Sequence, residues 1–351
     1  MTGLLRGPAL WVTERRLVRR LITEHRFGRQ FALRFVAGDN LEAGMRAARA
    51  LHEQGIRSML DHLGENVASP EQASNAADAY IHALKGIREV PEVDCDISVK
   101  LTQLGLDISM DTCVENMERV LEAAGGVGTS IQVMIDMEAH EYVDRTLDVY
   151  LALRDQYSNI GVCVQAYLYR TAADVLRIAG PQAIIRVAKG SYLEAPDVAM
   201  RSRSDVRRSF ARLTATLLAS GSVVHLATHD ERLIEGARGF IRARNIPTGQ
   251  YEFQMLYGIR RDLQAELVGD GEPVRVYIPY GTQWYPYLTR RMAERPANVW
   301  FFLSNALRRR GVQGGSSNER SEADADPLAL RGSVEDGAPR RRQRRRQRRQ
   351  P

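Results

Sequence analysis

The sequence predicts an α/β fold, a distorted (β/α)8 TIM barrel with N-terminal helices and a disordered basic C-terminal tail. Three observations carry that prediction. Short apolar runs recur eight times, which over roughly 260 residues is the strand count and size of such a barrel. Helical periodicity fills the chain between one run and the next, the alternation that a parallel sheet produces. The runs read as apolar on both sides, as strands do when helices cover the sheet. An open doubly wound sheet is the alternative, but no G-x-G-x-x-G follows the first run.

Taken in order, residues 1–40 form an N-terminal helical segment. Within it Trp11, Leu17, Val18, Leu21 and Ile22 stand among Arg15, Arg16, Arg19, Arg20 and Arg26. This basic amphipathic stretch suits packing onto the barrel or contact with a membrane surface. Glu14 and Glu24 count against a transit peptide. The barrel spans 41–310. Asn40 is placed to cap a helix over 41–54. Strands are expected over 56–63, 97–101, 131–137, 160–166, 183–188, 223–227, 251–256 and 274–278. Helices are expected over 70–90, 111–124, 141–157, 171–178, 205–219, 232–244 and 262–268. After the last strand the chain turns at Pro279 and Gly281, and a short helix runs up to Pro296. Residues 311–351 are Gly, Ser, Asp, Glu, Arg and Gln with almost nothing apolar, a composition for disorder.

Charge and cysteine usage exclude several functions. The net charge of +6 comes from eight arginines between Arg340 and Arg349; without them 41 basic residues face 43 acidic ones. The body therefore carries no basic face for specific nucleic-acid binding, although the tail suits anionic surfaces. Cys95, Cys113 and Cys163 are odd in number and widely spaced, which reads as free thiols in a reducing compartment. No run is long enough to span a membrane, and the N-terminus shows no signal-peptide pattern. The expected location is the cytoplasm, with peripheral contact at the inner face of the membrane. No histidine pair has metal-ligand spacing, so no metal is expected.

Only three lysines stand against 46 arginines, and two of them, Lys100 and Lys189, fall at strand ends. Strand ends are where barrel enzymes collect their chemistry. Lys100, Asp136 and Arg186 follow or interrupt apolar runs, and charges there are costly unless paired. Beyond the last strand, Tyr287, Arg290 and Glu294 share one helix face, with Arg291 beside them. Two adjacent guanidiniums suit a carboxylate or phosphate; a solvated charged helix face is the alternative reading of the pair taken alone. The excess of cations, Lys100, Arg186, Lys189, Arg290 and Arg291 against Asp136 and Glu294, fits an anionic small substrate and a phosphate-bearing cofactor. No nucleophile has an adjacent base.

Several motifs in order resemble the monofunctional bacterial proline dehydrogenases. They are Phe35-Val36-Ala37-Gly38, the stretch from Asp61 to Glu65, Ser98-Val99-Lys100-Leu101-Thr102-Gln103-Leu104-Gly105, and Ile135-Asp136-Met137-Glu138. Further on come Arg186 to Glu194, Ala227-Thr228-His229-Asp230, Phe253-Gln254-Met255-Leu256-Tyr257-Gly258, and Tyr277 to Glu294. The similarity covers roughly residues 31–307 and is specific as a set. It implies FAD bound without a covalent link at the C-terminal face of the barrel. Arg186 would lie near the flavin N5, and Lys189, Gly190 and Ser191 along the cofactor. Met137, Gln165, Thr228 and His229 would complete the cofactor contacts. Arg290 and Arg291 would clamp the carboxylate of L-proline, with Lys100 as a third cation and Glu294 orienting the pair. Asp136 would hold Lys100 and the substrate, while Tyr192, Tyr277 and Tyr287 wall the ring. Asp136 and Arg186 would be the catalytic pair. The implied reaction is oxidation of L-proline to Δ1-pyrroline-5-carboxylate, with electrons passed to a membrane quinone and the product to a pyrroline-5-carboxylate dehydrogenase. Tyr277 favours proline over 4-hydroxyproline, because hydroxyproline-preferring relatives carry a smaller residue there. Ala139-His140 departs from the family pattern at the mouth of the site, and Ala188 and Ser191 depart from it mildly. Two alternatives come from other classes: a flavin barrel of the methylenetetrahydrofolate reductase type, which NADH would reduce, and a non-enzymatic basic-tailed binding protein.

Overall fold

The computed structural model describes residues 32–64, 67–125 and 130–294, with side chains given as far as Thr289. The expectations for residues 1–31 and for the tail 311–351 lie outside the described residues. So do those for the side chains of Arg290, Arg291 and Glu294.

The chain alternates helices and strands. α1 (Leu41–His52) precedes β1 (Arg57–His62), and α2 (Pro70–Arg88) leads to β2 (Cys95–Val99). α3 (Met110–Ala124), β3 (Val133–Ile135), α4 (Val143–Leu153) and β4 (Ile160–Gln165) follow. α5 (Thr171–Ile178), β5 (Ile184–Ala188), α6 (Arg203–Ala219) and β6 (Val223–Ala227) continue the pattern. α7 (Glu231–Arg244), β7 (Tyr251–Leu256), α8 (Arg261–Gly269), β8 (Val274–Tyr280) and α9 (Trp284–Glu294) complete it. All eight strands are parallel and close in sequence order, with β1 paired to β8 from Arg57 opposite Arg275 to His62 opposite Tyr280. Asn40 caps α1, its side chain accepting from the Ala43 amide at 3.1 Å. Ser69 caps α2 in the same way ahead of Pro70.

The strand sequences have two faces with different work. Ile97 and Val99 of β2, Val133 and Ile135 of β3, Val162 and Val164 of β4, and Ile185 and Val187 of β5 are buried in the main apolar core. Burying each is worth about 1.5–3 kcal/mol. The opposite face of the strands includes Asp96, Ser98, Arg186, His225, Glu252, Gln254, Arg275 and Tyr277. Most of these are buried too. The two-sided apolar reading of the runs therefore needs correction: the helix-facing side is apolar, and the barrel interior holds polar groups. They are tolerated because they pair with one another across the barrel.

Two further differences concern the end of the barrel. Pro279 lies inside β8 rather than in a turn. Its carbonyl accepts from the Ala37 amide at 2.9 Å, and the Tyr277 carbonyl, two residues earlier on the same edge, accepts from Tyr257 just after β7 ends. A missing N–H on an edge that β7 has already left breaks no ladder bond. The distortion lies in the placement of helices. α1 packs against both β1 and β8, covering the closure seam. α9 is displaced from that position. It buries Trp284, Tyr285, Tyr287 and Leu288 with Ala32, Val36 and Leu63 in a separate small cluster. Leu63 directly follows β1, which places this cluster at the mouth where the strands end. Tyr287 is thus buried, not part of a solvated stripe.

Candidate active site

Because all strands are parallel, their C-terminal ends share one mouth. A cleft of about 980 Å³ opens there. It is lined by Lys100, Asp136, Met137, Gln165, Arg186, Lys189, Gly190, Ser191, Tyr192, Thr228, His229, Tyr277 and Tyr287. Every site residue expected from the sequence whose side chain is described lines this cleft.

Asp136, one residue past β3, is the hub of the floor. It accepts from Ser98 Oγ at 2.7 Å, Tyr277 Oη at 2.7 Å, Arg186 Nη1 at 2.7 Å and Lys100 Nζ at 3.3 Å. Lys100 also donates to Asp61 Oδ1 at 2.7 Å. Two cations and two carboxylates thus form a neutral buried cluster. Burial alone would push the Lys100 ammonium down, but Asp61, Tyr277 and Asp136 around it hold its pKa well above the ordinary lysine value. Burial likewise opposes ionisation of Asp136, and the charges of Lys100 and Arg186 overcome it, so its pKa is lowered. Asp61, fully buried, keeps a raised pKa from desolvation despite the nearby lysine. The Arg186 guanidinium lies over the Tyr277 ring, 5.6 Å from its centroid.

Around this floor the strand-to-helix loops supply the walls. Lys189 donates to Asp230 Oδ2 at 2.8 Å. Burial pulls the Asp230 carboxyl up, yet Lys189 and Arg207 hold it below the ordinary value. His229 Nε2 accepts from the Leu256 amide at 3.0 Å, so the ring carries its proton on Nδ1. Gly190 has φ +103°, and a Cβ there would sit 2.1 Å from the Tyr167 ring. Only glycine lets the backbone turn past that ring. Gln165 donates to the carbonyls of Met137 and Glu138 at 2.8 and 2.9 Å, while its buried Oε1 has no partner among the described residues. An unpartnered buried acceptor in a cleft wall suits a ligand N–H. Lys189, Arg201, Arg203 and Arg207 also line the cleft, which suits phosphates. His140, the departure noted at the mouth, is tied down: its amide donates to Glu194 Oε1 at 2.9 Å and its Nδ1 lies 2.5 Å from Oε2.

Three members of the floor were not singled out from the sequence as site residues: Asp61, Ser98 and Gln254. All three did stand in strand-end motifs, as polar residues inside apolar runs. That was the available signal. What it lacked was the register that aims them at Lys100 and Arg186.

A family model for proline dehydrogenase matches residues 44–303. The chain belongs to the proline dehydrogenase family. It is 37% identical over 278 residues to proline dehydrogenase 1 of Bacillus subtilis subsp. natto, covering 79% of this chain and 91% of that one. It is 37% identical over 310 residues to the proline dehydrogenase of Deinococcus radiodurans, covering 87% and 98%. Among solved structures, it resembles proline utilization A from Bdellovibrio bacteriovorus inactivated by N-propargylglycine. The TM-score is 0.71 at 20% identity, covering 90% of this chain and 38% of that one. The chain thus spans little more than a third of that protein, and the likeness there is one of fold. Family membership makes the chain an oxidoreductase of proline catabolism, acting at the first oxidation of proline. It sets aside the folate-reductase type and the non-enzymatic binding protein. No described helix is long and apolar enough to cross a membrane.

Proposed function

We propose that this chain binds FAD in the cleft, oxidises L-proline to Δ1-pyrroline-5-carboxylate and passes the electrons to a membrane quinone. The observation that carries the reading is the neutral Lys100–Asp61–Asp136–Arg186 cluster, closed by Tyr277, on the floor of a cation-lined cleft. Bound FAD supplies the acceptor for the hydride that leaves the ring carbon next to nitrogen.

The chain's own residues bind, orient and shield. Gln165 Oε1 is the acceptor for a flavin N–H, and Gly190 lets the backbone approach the cofactor with Ser191 beside it. Lys189 with Arg201, Arg203 and Arg207 answers the pyrophosphate. Met137, Thr228 and His229 complete the cofactor wall. Arg186 holds the flavin edge against the substrate, and Asp136 fixes both Arg186 and Lys100. Arg290 and Arg291 clamp the proline carboxylate with Lys100, and Glu294 orients the pair; these three assignments rest on the sequence motif. A clamped carboxylate leaves the ring one orientation. The local cations favour the neutral substrate amine, which must lose its proton before it can become an imine. Tyr192, Tyr277 and Tyr287 wall the ring. The product then reaches a separate pyrroline-5-carboxylate dehydrogenase.

Anaerobic titration of the purified holoprotein with L-proline tests this reading. The flavin absorbance should bleach with L-proline and not with NADH. In Arg291→Met the flavin should stay bound while far more proline is needed to bleach it. A colourless protein that takes up no FAD, or a flavin untouched by proline, would refute the reading.

A further inference from the structure

We infer that Gln254 is a positioning residue that sets the orientation of Arg186 from below the active site, itself fixed by His225 and Glu252. The inference rests on the reading that Arg186 serves the flavin edge and deepens it.

Arg186 is held at two ends. On the cleft side Nη1 donates to Asp136 Oδ1 at 2.7 Å and to Ser98 Oγ at 3.3 Å. On the interior side Nε donates to Gln254 Oε1 at 2.7 Å. Of the cleft-side partners, Asp136 also serves Lys100 and Tyr277, so it can be rearranged when substrate enters. The interior partner cannot. Gln254 is 4% exposed, and its amide nitrogen donates to His225 Nδ1 at 2.9 Å and to Glu252 Oε1 at 2.9 Å. Both N–H groups are used and the oxygen faces Arg186, so turning the amide over would place a donor against a guanidinium and an acceptor against a carboxylate.

The partners of Gln254 are held in the right states for this. His225 must present a bare Nδ1, which requires a neutral ring. Burial pushes its pKa down to about 4, so the ring is neutral across the physiological range. Glu252 must be ionised, and although burial opposes it, Arg275 overcomes this and leaves its pKa at about 2. Arg275 donates to Glu252 Oε1 at 2.8 Å and to the Ser58 carbonyl at 2.7 Å, and lies 3.1 Å from Asp96 Oδ2. Strand register brings these groups together: Arg186 is opposite His225 on β5 and β6, and His225 is opposite Glu252 on β6 and β7. A charged cluster near the N-terminal ends of the strands is therefore tied through one amide to the arginine at the reacting face. Such fully satisfied buried networks give a side chain a single position.

Two variants of the holoprotein test the inference by anaerobic stopped-flow reduction with L-proline and by spectroscopic redox titration of the flavin. Gln254→Leu should keep its flavin. Its limiting reduction rate should fall about tenfold to a hundredfold, the usual consequence of a misplaced catalytic group. The proline concentration for half-maximal rate should change by less than about threefold, because the carboxylate anchors are untouched. Its flavin midpoint potential should become more negative, since a guanidinium no longer fixed near the ring stabilises the reduced form less. The exchange Glu252→Gln with Gln254→Glu keeps the charge and restores an acceptor for Arg186; the amide then at 252 donates to that carboxylate, and the neutral His225 ring meets it in its other tautomer, donating from Nδ1. That double variant should recover both rate and potential to within about threefold in rate. Wild-type rate and potential in Gln254→Leu would overturn the inference. So would an exchange variant that folds and binds flavin but remains as slow as Gln254→Leu. Failure of L-proline to reduce the wild-type flavin would instead overturn the parent reading, and this one with it.

Discussion

Asp136→Ala is the most informative perturbation of the floor. A sum over its four hydrogen bonds overstates the cost, because its donors have other partners. Lys100 keeps Asp61, Arg186 keeps Gln254, and Ser98 can turn to the Met134 carbonyl at 3.1 Å. What cannot be replaced is the charge. Lys100 and Arg186 against Asp61 and Asp136 are neutral as a set, and removing Asp136 leaves one buried positive charge uncompensated. Stripping a partner from a buried ion pair costs about 3–5 kcal/mol. The Asp136 side chain is 16% exposed at the base of the cleft, so water relieves part of that, and the low end, about 3 kcal/mol, applies. For a body of this size that is a fall in Tm of roughly 5 °C. Thermal unfolding followed by circular dichroism reads it directly. Lys100→Met combined with Asp136→Ala restores neutrality and should lose less than the sum of the two single variants. If Asp136→Ala melts within about 1 °C of wild type, or if the double variant loses the full sum, the charge-balance reasoning is wrong.

Two other outcomes follow from the same geometry. Gly190→Ala forces a Cβ into the Tyr167 ring at a positive φ, which costs about 1–3 kcal/mol; purified protein should carry less flavin per chain, read from its visible absorbance. His225 has a folded pKa near 4 against an ordinary 6.5. Its contribution is thus present above pH 6.5 and is lost as pH falls through 4, by about 3 kcal/mol. His225→Gln removes that term. Over pH 7 to 4 the variant should therefore lose about 3 kcal/mol less stability than wild type in urea unfolding, and parallel curves for the two proteins would refute the assignment.

Much of the barrel was legible because its signals are local. Eight apolar runs, Asn40 as a cap and Pro70 at a helix start are written within a few residues of where they act. The cleft was legible for a related reason. In a parallel barrel all strand ends share one mouth, so Lys100, Asp136, Gln165, Arg186 and Lys189 meet once the strands are placed. What was not legible depends on register and on distant chain. Gln254 and Arg186 are 68 residues apart, and only the β5–β6–β7 ladder sets them at adjoining levels. Pro279 reads locally as a turn, and becomes a strand residue only because β7 has ended beside it. The displacement of α9 follows from α1 occupying the seam, a competition between segments more than 200 residues apart.

The seam has a consequence for how the chain comes to be folded. On the edge away from β2, Arg57 to His62 find their partners only in residues 275–280. During synthesis β1 has one neighbour, β2, and its other row of amides and carbonyls stays open until almost all of the barrel has left the ribosome. At about 5–20 residues per second that interval lasts on the order of ten to forty seconds. Loop-closure entropy must be met before the last pairing gives any return. α1, made just before β1 and packed against it in the finished barrel, can lie over it in the meantime. The helix that occupies the seam in the finished barrel is thus also a built-in guard for an unpaired strand on the nascent chain.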